Sequence, residues 1–574
     1  MRTVNHTVDF CVVGGGLAGL CAAAAAARHG ASVALIHDRP VLGGNASSEI
    51  RMHICGAHGP HMRETGIVEE IKLENAYRNP QYVYSIWDSI LYETARFAPN
   101  LQLLLNCSVN SATMDGARIA SVTGWQTTAE TWHTVSAALF ADCSGDSILA
   151  PLTGAEFRLG REARAEFGED IEPEVADRRT MGMSCLLQLR ETDRPQPFIP
   201  PSWAHTYRTD AELNFRGHGI RGTNFWWLEI GGEDDSIHDT EALRDELLKI
   251  AFGVFDHIKN HGDHGAENWQ LDWLGFLPGK RESRRYVGDH IMTQNDVRAG
   301  GPFPDLVAYG GWSMDDHHPA GIRYPGEPTI FHPAPSPYGI PYRCLYSRNL
   351  DNLFFAGRNI SATHAAMSSS RVMATCALLG QAVGTAAAIA ARDGLTPRAV
   401  SAQRLAELQQ TLQDDDCYLP GHPRPISPLA RQATLSASHG DPSPLRNGVD
   451  RPVGETDNGW WGDAGDWVEY TLPQPTPLHG VRLVFDSTLD AHGLNMPYSR
   501  PLGLPPAAVP PSLVRAFRLE AKGADSTWTT VYRDDNNHQR LRQIPLDITA
   551  SALRLFPETT WGAERAHVQA FEIG

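Results

Sequence analysis

Four histidines occupy positions from which a proton could be moved. His53 and His58 lie in IRMHICGAHG, His318 in DDHHP and His364 in SATHAA. Imidazole titrates near neutral pH, so each is a candidate base for a hydroxyl proton. His364 is the first choice and His53 the second. Glu49 and Arg51 alternate with His53, which would put all three side chains on one face of an extended stretch. Arg284 or Arg285, within GKRESRR, offers a planar fork for a polar or anionic group. A second set of residues suits phosphate: Gly14, Gly16 and Gly19, with Leu17 and Ala18 between them, have the GxGxxG spacing. Other chemistries find less support. The run Asp315-Asp316-His317-His318 cannot converge on one ion without a sharp bend, so no metal is expected. There is no GxSxG elbow for a serine hydrolase.

The glycines need a strand before them and a helix after, and the sequence supplies both. Phe10–Val13 is a short apolar run, an alanine-rich helix follows the turn, Gly30 ends it, and Ser32–Ile36 resumes as a strand. In such a unit the helix N-terminus points its free N–H groups at a pyrophosphate. An acidic residue is expected at the end of the second strand to hold a ribose. His37 stands there, so the contact passes to Asp38, with Arg39 beside it. Leu353–Ala356 reads as another buried strand, Gly357 as a turn, and Ser368–Ala391 as one helix that packs near the first. Residues 100 to 140 read as strands, with turns at Asp115-Gly116 and Thr127–Glu130, forming the small sheet that interrupts the nucleotide domain.

The whole chain narrows the choice of partners. Its 574 residues suit two or three domains, and a formal net charge of -18 without basic clusters argues against nucleic acid and against a membrane surface. Nine scattered cysteines with no CxxC pair suggest neither a disulfide framework nor a zinc site, and fit a reducing, cytoplasmic setting. Past the first thirty residues no run approaches the ~18 apolar residues of a spanning helix. Tryptophans gather between about 155 and 340, where they would serve as platforms for sugar rings or as core. Beyond Pro425 short strands and turns take over, as in a β-sandwich.

The first turn, the Leu42-Gly43-Gly44 step and NLFFAGRNISATHAAMSSSRVMATCALLGQAVGTAAA (352 to 388) together resemble FAD-dependent oxidoreductases of the glutathione-reductase and fumarate-reductase type. They look closest to the bacterial family often found beside carbohydrate-degrading genes. The resemblance implies FAD, with Gly43 and Gly44 against the pyrophosphate. Gly357, Arg358, Ser369, Arg371 and Val372 would lie about the flavin. Ser144, Gly145 and Asp146 follow a strand and resemble the strand end that crosses beneath the nucleotide. NGWWGDAGDWVEYTL resembles the galactose-binding-like, discoidin-type jelly roll. The expected architecture is α/β. A Rossmann-like FAD domain (1–155, returning at 341–424) holds an inserted α+β substrate domain (156–340), and an all-β jelly-roll sandwich (425–574) follows. The expected reaction is oxidation of a sugar or glycoside hydroxyl with an electron acceptor yet to be named, or a transient oxidation that cleaves the glycosidic bond by elimination. A fumarate-reductase-like reductase, a flavin-containing carbohydrate-binding protein and a homo-oligomer stay open.

Overall fold

The computed structural model describes residues 1–490, 493–523 and 525–574. Two compact units divide the chain: residues 1–56, 82–408 and 495–506 form the first, and residues 57–81, 409–494 and 507–574 the second. The boundaries depart from the expected ones, because 57–81 folds with the C-terminal unit and 495–506 with the N-terminal one.

In the first unit, β1 (Arg2–Val13), β2 (Val33–Ile36), β3 (Leu101–Leu104), β4 (Cys107–Asp115), β5 (Arg118–Gln126) and β6 (Thr131–Asp142) run in the order β3-β2-β1-β6-β5-β4. β1 pairs in parallel with β2 and β6. The strand Leu353–Phe355 pairs in parallel with the end of β6, at Phe140–Asp142. β5 pairs antiparallel with the start of β6, so residues 100 to 140 extend the main sheet and form no separate one. Parallel neighbours need a crossover, and α1 (Leu17–Arg28) supplies it between β1 and β2. Eleven of its residues are buried, as its alanines require.

The expected helix from Ser368 is two helices, His364–Ser370 and Met373–Asp393, broken where Val372 turns extended (φ -66, ψ 146). Met373–Asp393 packs against α1. A Cβ on Gly380 or Gly384 would fall 2.0 or 2.1 Å from the carbonyl oxygens of Ala18 and Ala22, so the two backbones nearly touch. By length and composition this helix could cross a membrane, contrary to the apolar run-length expectation. It lies in the core instead, 94% buried.

Between the sheet strands the first unit carries short ladders around the helix Thr240–Asp256, whose Leu247, Ala251 and Val254 centre a core with Trp227 and Trp269. Those two tryptophans are core and not sugar platforms. After the charge run, the strand Arg285–Tyr286 pairs antiparallel with Phe157–Arg158.

The second unit is a seven-stranded antiparallel sheet around Trp460, Tyr470, Phe485, Phe517, Leu553 and Phe571. The helix Ile67–Arg78 belongs to it. Buried Arg63 fixes that segment, donating to Glu69 at 2.8 Å and to the carbonyls of Ser487, Thr488 and Asp490.

Candidate functional site

Where β1 ends, Gly14 takes φ +105 and Gly16 caps α1 with no side chain on the free N–H groups. That leaves donors open to an anion. The turn is braced from behind. Gly15 N–H donates to His37 Nδ1 at 3.0 Å, and the Nε2 of the same ring lies 3.1 Å from the Val41 carbonyl, so the proton sits on Nε2. Burial draws His37 down to about 4 against the pull of Asp38, which keeps the ring neutral and able to accept. His37 therefore stands at the ribose position to hold the loop, and Asp38, exposed beyond it, is the carboxylate available there. Gly43 N–H donates to the Gly15 carbonyl at 2.8 Å, docking the Gly43-Gly44 step on the first turn. Gly19 lies inside, where a Cβ would meet the Gly14 carbonyl.

From this turn a cavity of about 850 Å³ opens within the first unit. Leu17, Ala18, Asp38 and Arg39 line one part, and Ser144, Gly145 and Asp146 with Gly357 and Arg358 another. Asp146 gathers the charge here, with Arg358 at 2.7 Å, Lys280 at 2.8 Å and the Ser283 hydroxyl at 2.8 Å. Burial alone would raise its carboxyl, but Arg358 and then Lys280 outweigh that and hold it at about 2. Because that lies below the ~3.9 of an unfolded aspartate, Asp146 stabilises the fold above pH ~4, and the contribution disappears as the pH falls toward 2. Asp146→Asn should lower the stability of the apoprotein by about 2 kcal/mol at pH 7 and flatten its loss between pH ~4 and ~2. Urea unfolding of both proteins across that range checks this; parallel acid curves would refute it.

A dinucleotide fits this lining. The uncapped helix start and the two glycine steps offer backbone donors, and the buried Nε atoms of Arg358 and Arg371 have no hydrogen-bond partner. The second helix start also reaches the cavity, through Arg371, Val372, Met373 and Cys376. Ser369 does not. It is fully buried, its Oγ 2.6 Å from both the Trp312 carbonyl and the Tyr338 hydroxyl, because the helix break hands the cavity edge to the residues after it.

Of the four histidines, His53 lines the cavity, beside Met52 and Cys55. Its ring meets the edge of Tyr498 at 4.3 Å, and Nε2 lies 3.1 Å from Cys55 Sγ. His364, the first choice, is 1% exposed and outside the cavity lining. Its Nδ1 meets Glu282 at 2.9 Å and its Nε2 Asp316 at 3.1 Å, so both ring nitrogens are engaged. Burial would lower its pKa, but Glu282 and Asp316 raise it well above the ordinary value, which makes it a cation in a buried carboxylate knot and no base. Arg285 lies in the same knot, 2.8 Å from Glu162 and paired with Glu282. Glu172, whose Oε1 accepts from the Ala365 N–H at 2.8 Å, is pushed to about 7 by burial. His318 stacks flat on Tyr324 at 3.6 Å, away from the cavity. His58 falls in the second unit.

The arginines change places too. Arg51 takes φ +59, so 49–53 is not an extended strand with one face. Its guanidinium lies 4.2 Å from the Tyr84 ring centre and 4.5 Å from that of Trp273. Arg284 lies over Phe157, and Arg281 lines the cavity in its stead, donating to Ser184 Oγ at 2.9 Å with Glu229 at 3.4 Å. Sequence reasoning missed Arg281, Lys280 and Cys55. The charge run pointed to the segment, but only the fold decides which of its arginines turns inward.

A glycine turn between parallel strands, with a second helix start facing it across a large cavity, defines a dinucleotide-binding α/β protein. The chain belongs to the family of FAD dependent oxidoreductases, whose model matches residues 9–412, and FAD is its cofactor. No curated protein matches the chain. Among solved structures, a geranylgeranyl bacteriochlorophyll reductase-like protein of Thermoplasma acidophilum is 13% identical with a TM-score of 0.32, covering 72% of this chain and 84% of that one. A family 32 carbohydrate-binding module from Streptococcus pneumoniae EndoD is 16% identical with a TM-score of 0.21, covering 26% of this chain and 99% of its own. The family 32 module from C. perfringens NanJ, solved with galactose, is 9% identical with a TM-score of 0.19, covering 25% and 95%. Likenesses this distant carry no functional inference.

Proposed function

We propose that this oxidoreductase oxidises a secondary hydroxyl of a sugar or glycoside, with His53 taking the hydroxyl proton. The observation that carries the reading is that His53 lines the same cavity as the glycine turn and the Val372–Met373 helix start. FAD supplies the two-electron acceptor when bound. Tyr498 and Cys55 fix the imidazole, and a base so placed contributes about 10²–10⁴ in rate. Arg281 and Arg371 lie in the cavity wall against Glu229 and Asp315, so they offer donors to ring oxygens without a large net charge. In the transient route the ketone would acidify the neighbouring C–H, the glycosidic substituent would leave from the next carbon, water would add to the resulting double bond, and the hydride held by the reduced cofactor would return to the ketone, so that the overall cleavage is redox-neutral.

The same arginine pair favours a second reading, reduction of an activated double bond, in which Arg281 clamps a carboxylate. In the second unit we assign the antiparallel strands to a galactose-binding-like jelly roll. Trp461, 38% exposed and stacked on His567 at 4.1 Å, is its sugar contact, whereas Trp460 is core. Nine cysteines, none of them in a disulfide, support a reducing compartment.

Anaerobic titration with a panel of glycosides, following flavin absorbance and sugar products together, tests this. Net oxidation bleaches the flavin and yields a keto sugar. The transient route releases the glycosidic substituent without an external acceptor and exchanges a substrate C–H with deuterated solvent. If no glycoside reacts and an unsaturated acid reoxidises the reduced protein, the second reading replaces the first.

A further inference from the structure

Three imidazoles and a carboxylate converge in the first unit, and none of the four lines the flavin cavity. His257 caps the end of the helix Thr240–Asp256, His264 follows it by seven residues, Asp210 opens a short 3-10 turn, Asp210–Leu213, and His218 comes after that turn. Their candidate ligand atoms all lie within 4.8 Å of one another. His257 Nε2 is 3.2 Å from His264 Nε2 and 3.2 Å from Asp210 Oδ1, which is 3.6 Å from His264 Nε2 and 3.9 Å from His218 Nδ1. Four ligands at ~2.0–2.1 Å around a tetrahedral ion stand about 3.3 Å apart, close to the shortest of these separations.

The hydrogen bonding points the same way. His257 Nδ1 lies 3.0 Å from the Tyr207 carbonyl, which places its proton on Nδ1 and leaves the Nε2 lone pair facing His264 and Asp210. A backbone carbonyl behind the imidazole is how a metal-ligating histidine is ordinarily oriented. The three rings do not stack. Their centres are 4.8 to 4.9 Å apart at interplanar angles of 49° to 86°, a cluster facing a common point.

The backbone is shaped to allow this. The helix ends in a π turn, His257–His261, a distortion that re-aims side chains and recurs at functional sites. Gly262 follows it, and a Cβ there would lie 2.2 Å from His264 Nε2.

We propose that Asp210, His218, His257 and His264 bind a zinc ion. Imidazole donors select zinc over calcium or magnesium, and four protein ligands make a closed site that is structural. It ties the 209–218 loop to the end of the helix and takes no part in electron transfer. This reverses the expectation from sequence that no metal is bound. Spacing gave no warning, because His218 and His257, the nearest pair across the two segments, are 39 positions apart, outside any short metal motif.

The test uses the full-length flavoprotein purified without chelator or metal-affinity resin. Mass spectrometry should find one zinc per chain, and adding cobalt(II) to chelator-stripped protein should give the visible bands of a tetrahedral site. A His257→Ala/His264→Ala double variant should lose both while keeping the flavin spectrum, and should melt at a lower temperature. If the double variant does not fold, Asp210→Asn on the exposed turn should bind zinc about tenfold more weakly. Stripped wild-type protein that takes up neither ion, or variants that bind as much as wild type, would overturn the assignment.

Discussion

His53→Gln should lower turnover by about 10²–10⁴ while leaving the protein yellow and folded. Glutamine can keep a hydrogen bond in the cavity but cannot accept a proton near neutral pH. The loss should therefore fall on kcat, and the acidic limb of the pH–rate profile, set by the base, should vanish. Flavin content should be unchanged, because the glycine turn and the Asp146–Arg358 pair lie elsewhere on the lining. His364→Ala makes the contrast. It removes the cation between Glu282 and Asp316, so its damage should appear in stability. Stopped-flow reduction and thermal unfolding of the two variants separate the roles. Wild-type turnover in His53→Gln, or full stability with lost turnover in His364→Ala, would reverse the assignment of the base.

Gly16→Val should yield a folded but colourless protein. Gly16 has φ -63 and ψ 177, which valine adopts without strain, and a Cβ there meets nothing nearer than the Gly44 Cα at 3.9 Å. The added side chain instead occupies the space before the α1 N–H groups where the pyrophosphate belongs. FAD affinity should fall at least about 100-fold, or about 2.7 kcal/mol. Gly14→Ala differs in kind. At φ +105 its Cβ would lie 2.5 Å from the backbone of Cys143 and Ser144, so that variant should fail in folding as well. Visible absorbance of the purified proteins and titration with added FAD measure both. A yellow Gly16→Val with wild-type affinity would mean that the phosphates lie elsewhere.

Local patterns fixed whatever depended on neighbours in the chain. β1, the turn, α1 and β2 follow from an apolar run, three spaced glycines and a stretch of alanine, each with one compatible local structure. The family resemblance read from 9 to 44 and 352 to 388 rested on such segments, and the family model spans both. What the sequence left to tertiary structure was the direction of side chains. Whether His53 or His364 lines the cavity depends on carboxylates from Glu282 and Asp316, 82 and 48 residues from His364, which engage its ring in the core. The break at Val372 ended a helix that alanine propensity would have continued. Arg281 rather than Arg284 enters the cavity because the short strand Gly279–Lys280 pairs with Met183–Ser184 and sets the facing of the residues after it. Residues 57–81 joined the C-terminal sheet through buried Arg63, whose carbonyl partners Ser487, Thr488 and Asp490 lie more than 400 residues on. Turns, helices and strands are encoded within a few residues, so the sequence alone determined the nucleotide-binding framework. Which imidazole is a base, which is a cation and which could hold a metal is decided by charges that only folding brings together.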